Sequence, residues 1–409
     1  MEPKVRLKGF CGEWNETKFD SLAKIRRGLT YSPSNIMAKG VRVLRSSNIN
    51  EDTFVTSEDD VFVEESCVNI PFANDGDILI TAANGSPRLV GKHAVIKHTG
   101  SKMVPGGFMV LAMTDEPYFL NSCMSSPWYK KFLKTGVAGG NGAIGNLNKT
   151  ALSDSIFLIP SNKVERDSLA SYFQHLDSLI QSTTKKIESL KQVKSASLQS
   201  MFPQEGETTP RVRFKEFEGE WENKTLGECL TINNERNQSN LYGINDVLSV
   251  SDEVGVVNQI KLLGRSYAGK SVANYRVLKT NQIVYTKSPL KSKPYGIVKV
   301  NKGAIGIVSV LYAVYDANEN VYPDYIHYYF EPTHRINNYL LPLINKGAKN
   351  TMNISDEMAL TGHVWIPSFE EQKKIAIYLQ VLDNQIILQT QRLEKLKQIK
   401  SACLDNMFV

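Results

Sequence analysis

The side chains of this sequence that could do chemistry are basic and amide groups in loops rich in Gly, Ser and Asn. In a DNA major groove, Arg and Lys bond guanine edges, and Asn and Gln bond adenine edges. The same side chains also grip phosphates. A solvated loop is the ordinary interpretation of any one of them, but both halves of the chain carry them at comparable places, which predicts nucleic-acid contacts. The candidates are Arg26, Arg27, Arg42, Arg45, Ser46, Asn48, Asn84, Arg88 and Lys92 in the first half, and Asn234, Arg236, Arg265, Tyr267, Lys287, Lys291 and Lys293 in the second.

Motifs for catalysis are missing from the sequence. It contains no G-x-x-x-x-G-K-[ST] loop to cradle a nucleotide phosphate and no G-x-G-x-x-G opening a helix. The segment nearest to an amino-methyltransferase signature, Asn69-Ile70-Pro71-Phe72, lacks the paired prolines. The histidines show no spacing typical of metal ligands. The sequence therefore predicts a protein that is not an enzyme and holds no cofactor or metal of its own.

Charge and composition permit a polyanionic partner without requiring one. The chain has 409 residues and a formal net charge of +6, a weaker basic excess than many nucleic-acid-binding proteins show. No apolar stretch approaches the roughly 20 residues that span a bilayer, which predicts no membrane contact. The N-terminus lacks the apolar core of a signal peptide, and the 5 cysteines show no Cys-x-x-Cys spacing. We therefore expect a reduced, cytoplasmic protein without disulfides.

The sequence repeats itself with a period of about 206 residues, so one structural unit occurs twice. Val5–Trp14 returns as Val212–Trp221, and both segments end in Gly-Glu-Trp. The strongest match is between Glu188–Leu198 and Glu394–Leu404, which share the pattern Leu-Lys-Gln-(Val/Ile)-Lys-Ser-Ala. Two shorter matches are Ile-Pro-Ser at 159–161 and 366–368, and Met-Phe at 201–202 and 407–408.

The middle of each repeat is variable, and its pattern predicts a mixed α+β domain. Residues 26–145 and 233–350 share only traces, chiefly a strand-like core at 76–80 that resembles 281–285. Short strand-like runs alternate with Gly, Pro, Asn and Ser, as in a domain of short strands. They are 61–63, 78–80, 93–96 and 108–111 in the first copy and 282–285 and 306–311 in the second, with a helix expected near 128–133.

The end of each repeat carries a heptad pattern, in which apolar residues alternate at spacings of four and three. This pattern favours a coiled coil over an ordinary surface helix. Two pairs of polar positions, Thr183 with Gln389 and Lys194 with Lys400, interrupt both patterns at matching places, where polar residues typically fix register. The expected apolar seam consists of Leu169, Phe173, Leu176, Ile180, Ile187 and Leu190, and of Leu379, Leu382, Ile386, Leu393 and Leu396.

These observations divide the chain into five parts. The first variable domain is expected at 1–158, a helical spacer at 159–202, a Pro- and Gly-containing linker at 203–211, the second variable domain at 212–365, and a second helical spacer at 366–409. The expected architecture is therefore an α+β protein with an internal pseudo-symmetric repeat, in which two mixed domains are separated by two long helices.

The layout resembles the specificity subunit of type I restriction-modification systems. The resemblance rests on the two Gly-Glu-Trp segments (residues 12–14 and 219–221), the Ile-Pro-Ser segment before each helix, and the repeated helix ending in Lys-Ser-Ala. It covers essentially the whole chain, although the variable domains match in layout only.

The resemblance implies a function and a set of partners. Each variable domain would be a target recognition domain that reads one half of a bipartite, asymmetric site on double-stranded DNA. The two helices would pack as an antiparallel coiled coil that sets the distance between the half-sites. The conserved parts would dock two methyltransferase subunits, and restriction subunits, which carry the motor and the nuclease, would join them. S-adenosylmethionine and ATP would bind to those partners.

Two other classes of protein are weighed against this interpretation. The first is a coiled-coil scaffold with two protein-binding heads. A DNA reader that neutralises several phosphates loses affinity steeply with salt, whereas a scaffold does not bind DNA. The second is a stand-alone methyltransferase, which would need a cofactor loop and an Asn/Asp-Pro-Pro-aromatic motif, and neither is present.

Overall fold

The computed structural model describes residues 2–97, 100–138, 144–269, 271–290, 293–346 and 352–409. The chain forms two compact units, one of residues 1–184 with 391–409 and the other of residues 185–390. This division differs from the linear one that the sequence suggests. Each long helix contributes its first part to one unit and its last part to the other, so each unit is closed by a segment from the other repeat.

The first unit is built from short strands and helices followed by the start of a long helix. Its helices are α1 (Phe19–Leu22), α2 (Pro117–Ser125), α3 (Pro127–Gly136), α4 (Lys149–Ser153) and the first part of α5 (Lys163–Ser200). Its strands are β1 (Trp14–Lys18), β2 (Lys24–Arg27), β3 (Ile36–Met37), β4 (Val41–Leu44), β5 (Ile49–Asn50), β6 (Thr53–Phe54), β7 (Val61–Val63), β8 (Ile78–Thr81), β9 (Ala83–Asn84), β10 (His93–Val95), β11 (Met103–Pro105), β12 (Met109–Met113), β13 (Val137–Ala138), β14 (Gly145–Leu147) and β15 (Ile156–Pro160).

The second unit has the same kinds of elements. Its helices are α6 (Leu226–Cys229), α7 (Gln259–Leu263), α8 (Pro323–Phe330), α9 (Thr333–Leu340) and the first part of α10 (Phe369–Met407). Its strands are β16 (Glu222–Thr225), β17 (Leu230–Ile232), β18 (Leu248–Ser251), β19 (Gly255–Asn258), β20 (Arg276–Leu278), β21 (Ile283–Thr286), β22 (Val298–Val300), β23 (Gly306–Val308), β24 (Tyr312–Ala317), β25 (Asn345–Lys346), β26 (Met352–Asn353) and β27 (His363–Ile366).

The two units share one sheet topology although their sequences differ. A four-stranded antiparallel sheet has the order β10-β8-β12-β2 in the first unit and β22-β21-β24-β17 in the second. An antiparallel pair connects the beginning and the end of each domain, β1 with β15 and β16 with β27. The repeat therefore extends through the variable domains, where the sequence showed only traces of it.

Burial explains why these segments form strands. All four residues of β8, Ile-Leu-Ile-Thr, are buried, and so are all four of β21, Ile-Val-Tyr-Thr. Such continuous runs of β-branched and aromatic residues suit a central strand that is covered on both faces. The first unit adds a sheet of order β11-β4-β7-β3, in which β11 and β4 are parallel. The expected mixed α+β character is confirmed.

Several boundaries differ from the sequence-based expectations. The first long helix begins at Lys163 and not at 159, because 156–160 form β15. Likewise 363–366 form β27, so the second long helix begins at Phe369. The strand expected at 108–111 begins at Met109, because the backbone turns at Gly106-Gly107 and leaves Phe108 in the turn. The helix expected near 128–133 is confirmed as α3.

Candidate nucleic-acid interface

Each unit is tied together by an arginine from its opening segment and a glutamate in the first turn of its long helix. In the first unit Arg6 donates to both carboxylate oxygens of Glu165, at 2.8 Å each, and to the carbonyl of Gly12 at 2.6 Å. Glu165 is buried, and its hydrogen bond is the largest of the effects that raise the pKa of Arg6. Gly12 has a φ of +92°, which a side chain would strain. The repeated Gly-Glu-Trp segment therefore places this carbonyl within hydrogen-bond distance of Arg6.

The second unit repeats this arrangement. Arg213 donates to both oxygens of Glu371, at 2.7 Å each, and to the carbonyl of Gly219 at 2.5 Å. Gly219, with a φ of +80°, stands where Gly12 stands in the first unit. The repeated segments of the sequence contain both arginines, but no pattern in the sequence indicates their partners, since Glu165 and Glu371 lie 159 and 158 positions away.

A buried aromatic contact closes each unit. Trp14 packs edge-on against Phe408 with ring centroids 6.1 Å apart, and Trp221 packs edge-on against Phe202 at 6.4 Å. All four rings are buried. In each unit the repeated Trp and the repeated Met-Phe therefore belong to the same core, and the phenylalanine directly follows the end of a long helix.

The two long helices meet inside each unit through matched polar pairs. In the first unit Lys400 is 2.7 Å from Asp177, and the hydroxyl of Tyr172 is 3.3 Å from the sulfur of Cys403. As the residue number rises from 172 to 177 in α5, that of its partner falls from 403 to 400 in α10. The two segments therefore run in opposite directions where they pack in this unit.

In the second unit the corresponding pairs are Lys194 with Asp383, at 2.5 Å, and Ser197 with Tyr378, at 3.3 Å. Lys194 also bonds Glu331 at 2.6 Å. Burial lowers the pKa of this ammonium group, but the two carboxylates outweigh that effect and raise the pKa above the ordinary lysine value. The two polar seam positions that the sequence singled out as Lys194 and Lys400 thus have acidic partners in both units.

The seam residues expected from the heptads lie on the protected side of both helices. Leu169, Phe173 and Leu176 belong to the core of the first unit, and Leu379 and Leu382 to that of the second. Ile187 is also buried. The remaining predicted positions are half-buried, and they are Ile180, Leu190, Ile386, Leu393 and Leu396.

Three predicted contact residues in the first unit line one cleft. Arg45, Ser46 and Asn84 border a cavity of about 700 Å³ between the turn at 106–108 and the segment 29–36. The amide of Asn84 donates to the hydroxyl of Ser46 at 3.3 Å. Among the described residues, the guanidinium group of Arg45 has no hydrogen-bond or ion-pair partner, so it is free to bind a ligand. We name this cavity the reading cleft.

Other predicted residues of the first unit divide into exposed and engaged groups. Arg27 and Arg88 are exposed and Lys92 is half-buried. Arg26 is half-buried and donates to the carbonyl of Phe72 at 3.0 Å.

Two predicted residues of the first unit serve the fold instead. Arg42 is paired with Asp60 and lies over the ring of Phe62 at 4.7 Å. Asn48 is only 1% exposed and donates to Asp60 at 2.9 Å and to the carbonyl of Val55. The sequence could not distinguish these two from free loop residues, because their partners are 7 to 18 positions away. This placement does not support a contact between Asn48 or Arg42 and DNA.

Four predicted residues of the second unit are exposed. They are Asn234, Arg236, Arg265 and Tyr267. The guanidinium of Arg265 lies over the ring of Tyr267 with 4.6 Å to the centroid. A stacked Arg-aromatic pair at the surface presents both a cationic group and a flat apolar face. The second unit therefore exposes a different chemical surface from the reading cleft.

The lysines predicted between 287 and 293 are largely engaged within the second unit. Lys287 is 2.6 Å from Asp356, which also pairs with Arg276. Lys293 is buried and bonds Asp252 at 3.0 Å and the carbonyl of Glu331 at 2.8 Å. These contacts make Lys293 part of the packing, contrary to the free loop that the sequence suggested. Lys291 lies outside the described residues.

Features of other protein classes are missing from the described parts of the chain. No group of three or more His, Cys, Asp or Glu side chains is arranged there to hold a metal ion. Across the same residues no helix is both long enough and apolar enough to cross a membrane.

Comparison with known proteins places the fold. No protein-family model and no curated protein matches the sequence, but solved structures do. The type I restriction-modification S subunit from M. genitalium matches with a TM-score of 0.61 and 14% identity over 100% of this chain and 99% of that one. A chain from a structural study of complex assembly and conformational transition of the type I R-M system covers 96% of both chains at a TM-score of 0.45 and 14% identity.

The HsdS subunit from Thermoanaerobacter tengcongensis has a TM-score of 0.42 and 14% identity over 100% of this chain and 98% of that one. The likeness to the M. genitalium subunit extends over the whole length of both proteins. This chain therefore has the fold of a type I restriction-modification specificity subunit, and the resemblance drawn from the sequence is confirmed at the level of the fold.

Proposed function

We propose that this chain is the DNA-recognition subunit of a type I restriction-modification enzyme, in which each unit reads one half of a bipartite, asymmetric DNA site. The observation that carries the proposal is that two units of the same topology expose different side chains. Arg45 and Asn84 border a cleft in the first unit, whereas Arg265 stacks on Tyr267 in the second. Two domains with the same topology but different exposed side chains suit a protein that reads two unrelated half-sites.

We further propose that the long helices form the spacer between the readers. The opposite chain directions of the paired segments, seen for Lys400 with Asp177 and for Lys194 with Asp383, support an antiparallel coiled coil. Polar residues at the seam of a coiled coil fix register and orientation. A fixed register would hold the distance between the two half-sites constant.

The proposed partners are two methyltransferase subunits, docked on the repeated segments, and restriction subunits that join them. The tie between Arg6 and Glu165 recurs as that between Arg213 and Glu371, so each unit offers a similar frame to an identical partner. S-adenosylmethionine and ATP would belong to those partners, and the chain itself would not be an enzyme. We expect no methyl transfer, nuclease or ATPase activity from the purified chain alone.

An exchange of domains tests the proposal. Residues 26–145 are replaced by those of a related subunit, the protein is produced in cells with its methyltransferase partner, and methylated sites are mapped. One half of the recognised sequence should change and the other should stay. The matched control exchanges 233–350 and should change the other half. A change in both halves from either exchange contradicts modular reading.

The same preparations separate the proposal from a protein scaffold. A complex that neutralises several phosphates should lose DNA affinity steeply between low and physiological salt. If the complex methylates no defined sequence and binds DNA at no salt concentration, the chain is a scaffold with protein-binding heads.

A further inference from the structure

The reading cleft contains an exposed aromatic side chain that the function as proposed does not use. Phe108 lines this cleft, and its side chain is 66% exposed. Two other exposed apolar side chains, Ile36 and Ile144, line the same cleft. A group of exposed apolar side chains bordered by polar groups is typical of a binding site, whereas a single one would not be.

The backbone holds Phe108 rigidly. Its carbonyl accepts hydrogen bonds from the amides of both Ala82 and Ala83, at 2.9 and 3.0 Å. The glycine turn before it is tightly packed, since a Cβ on Gly28 would lie 1.9 Å from the carbonyl oxygen of Gly106. These contacts hold the backbone from which the phenyl group projects, so the turn itself need not become ordered when a ligand binds.

The lining of the reading cleft suits one edge of a DNA base pair. Its side chains include the free cation of Arg45 and the amide of Asn84, together with apolar groups from Tyr31, Ile36 and Phe108. The described lining contains no Asp or Glu. Two other large clefts differ, since Asp52 and Asp177 line one in the same unit, and Asp252, Glu331 and Asp383 line one in the second unit. A polyanion can therefore approach the reading cleft without meeting a carboxylate.

We infer that Phe108 contacts the 5-methyl group of a thymine in the half-site read by the first unit, beside base edges bonded by Asn84 and Arg45. The major-groove edge of an A·T pair presents adenine N7 and N6, then thymine O4, and finally the thymine 5-methyl group. An amide can bond those adenine atoms while an apolar side chain covers the methyl group. The inference rests on the proposed function and makes Phe108 a specificity-determining residue of it.

The test uses the chain in complex with its methyltransferase partner and duplexes carrying the methylated site already mapped in cells. Each thymine of the first unit's half-site is replaced singly by uracil, which removes only the methyl group. Burial of one methyl-sized group corresponds to about a fourfold change in affinity. The wild-type complex should lose about fourfold at one thymine position, whereas the Phe108→Ala complex should bind the thymine and uracil duplexes equally.

A matched control and a second measurement keep the test decisive. Ile156→Ala removes an apolar side chain that is 54% exposed on β15, outside the cleft lining, and should retain the wild-type response to uracil. The uracil scan on the wild-type complex needs no variant, so it stands even if Phe108→Ala fails to fold. A half-site in which no uracil substitution weakens wild-type binding overturns the inference.

Two further outcomes are informative. If Phe108→Ala weakens binding to thymine and uracil duplexes by the same factor at every position, the phenyl group does not read a methyl group and the inference is wrong. If the complex methylates and binds no defined sequence, the proposed function itself fails, and this result is distinct from the failure of the methyl contact.

Discussion

Lys400 lies 2.7 Å from Asp177, and both groups are at least half-buried where α5 and α10 run side by side in the first unit. The same relation recurs between Lys194 and Asp383 in the second unit. The sequence marked both lysines as polar interruptions of an apolar seam, and the structure supplies the reason for their presence. Each lysine bonds an acid on the opposing helix, which penalises any other register of the two helices.

The first prediction concerns this pair. Lys400→Asp should lower the free energy of unfolding by about 1–3 kcal/mol, because it replaces a half-buried ion pair with two neighbouring acids. Adding Asp177→Lys should restore part of the loss. Urea unfolding measures the free energy of unfolding of both variants. Lys395→Ala, on an exposed turn of the same helix, is the control and should change stability little. A charge-reversed double variant no more stable than Lys400→Asp would contradict a direct pairing.

The second prediction concerns the tie at the start of each long helix. Glu371→Gln keeps the size of the side chain but leaves the guanidinium of Arg213 without its carboxylate. Since Glu371 is fully buried, breaking this pair should cost about 3–5 kcal/mol. Thermal unfolding of the complex checks it. Glu370→Gln, one residue earlier and exposed, serves as the comparison. If the two substitutions lower the stability equally, the proposed stabilising role of Glu371 is wrong.

The third prediction concerns the loss of stability at acidic pH. Burial, reinforced by the nearby charge of Lys299, lowers the pKa of His327 to about 3, and its Nδ1 lies 3.0 Å from the carbonyl of Val298. A histidine with a lowered pKa stabilises the fold above its ordinary pKa of about 6.5, and that contribution is lost as the pH falls toward 3. At pH 5.5 the loss is about 1 kcal/mol.

Thermal unfolding at pH 7.5 and pH 5.5 measures this dependence. A loss of about 1 kcal/mol corresponds to a fall of about 2–4 °C in Tm for a unit of this size. His327→Gln should reduce the difference between the two pH values. His175→Gln, an exposed histidine of the first unit, should leave it unchanged. An unaltered pH dependence in His327→Gln would assign the acid sensitivity to other groups.

The fourth prediction concerns the spacer. Four residues of helix-forming sequence are inserted after Thr183 and four more after Gln389, so that both helices lengthen together. Each helix gains about 6 Å, and its apolar stripe turns by only about 40°, which coiled coils accommodate as a local unwinding. Because DNA rises about 3.4 Å per base pair, the two half-sites should be unchanged in sequence and separated by one or two further base pairs.

The same measurement needs an insertion of the wrong length as its control. Two residues at each place turn the stripe by about 200° and expose the seam, so this variant should lose stability and methylation. Mapping methylated sites for both proteins gives the answer. An active four-residue variant with the original spacing would remove the ruler function from these helices.

The repeat, the mixed α+β character and the two long helices could all be predicted from the amino-acid sequence. Heptad spacing and strand-like runs are patterns of neighbouring residues, and the repeat is a direct match between two segments of the sequence. The sequence also indicated Arg45, Ser46 and Asn84 as candidate DNA-contact residues, and the structure brings these three together in one cleft. Phe108 was missed as a site residue, since it reads as the first residue of an apolar strand, and the preceding Gly106-Gly107 pair is the signal that would have marked a turn.

Which polar residues are exposed and which stabilise the fold became clear from the three-dimensional structure alone. Asn48 and Lys293 look like loop side chains in the sequence, yet both are buried and bonded. Only the structure showed that each unit is completed by the end of a helix from the other repeat, as Phe408 meets Trp14 and Phe202 meets Trp221. The physical reason is that a hydrogen bond or a buried contact depends on distance in space, and partners separated by more than a hundred residues leave no pattern in the local sequence.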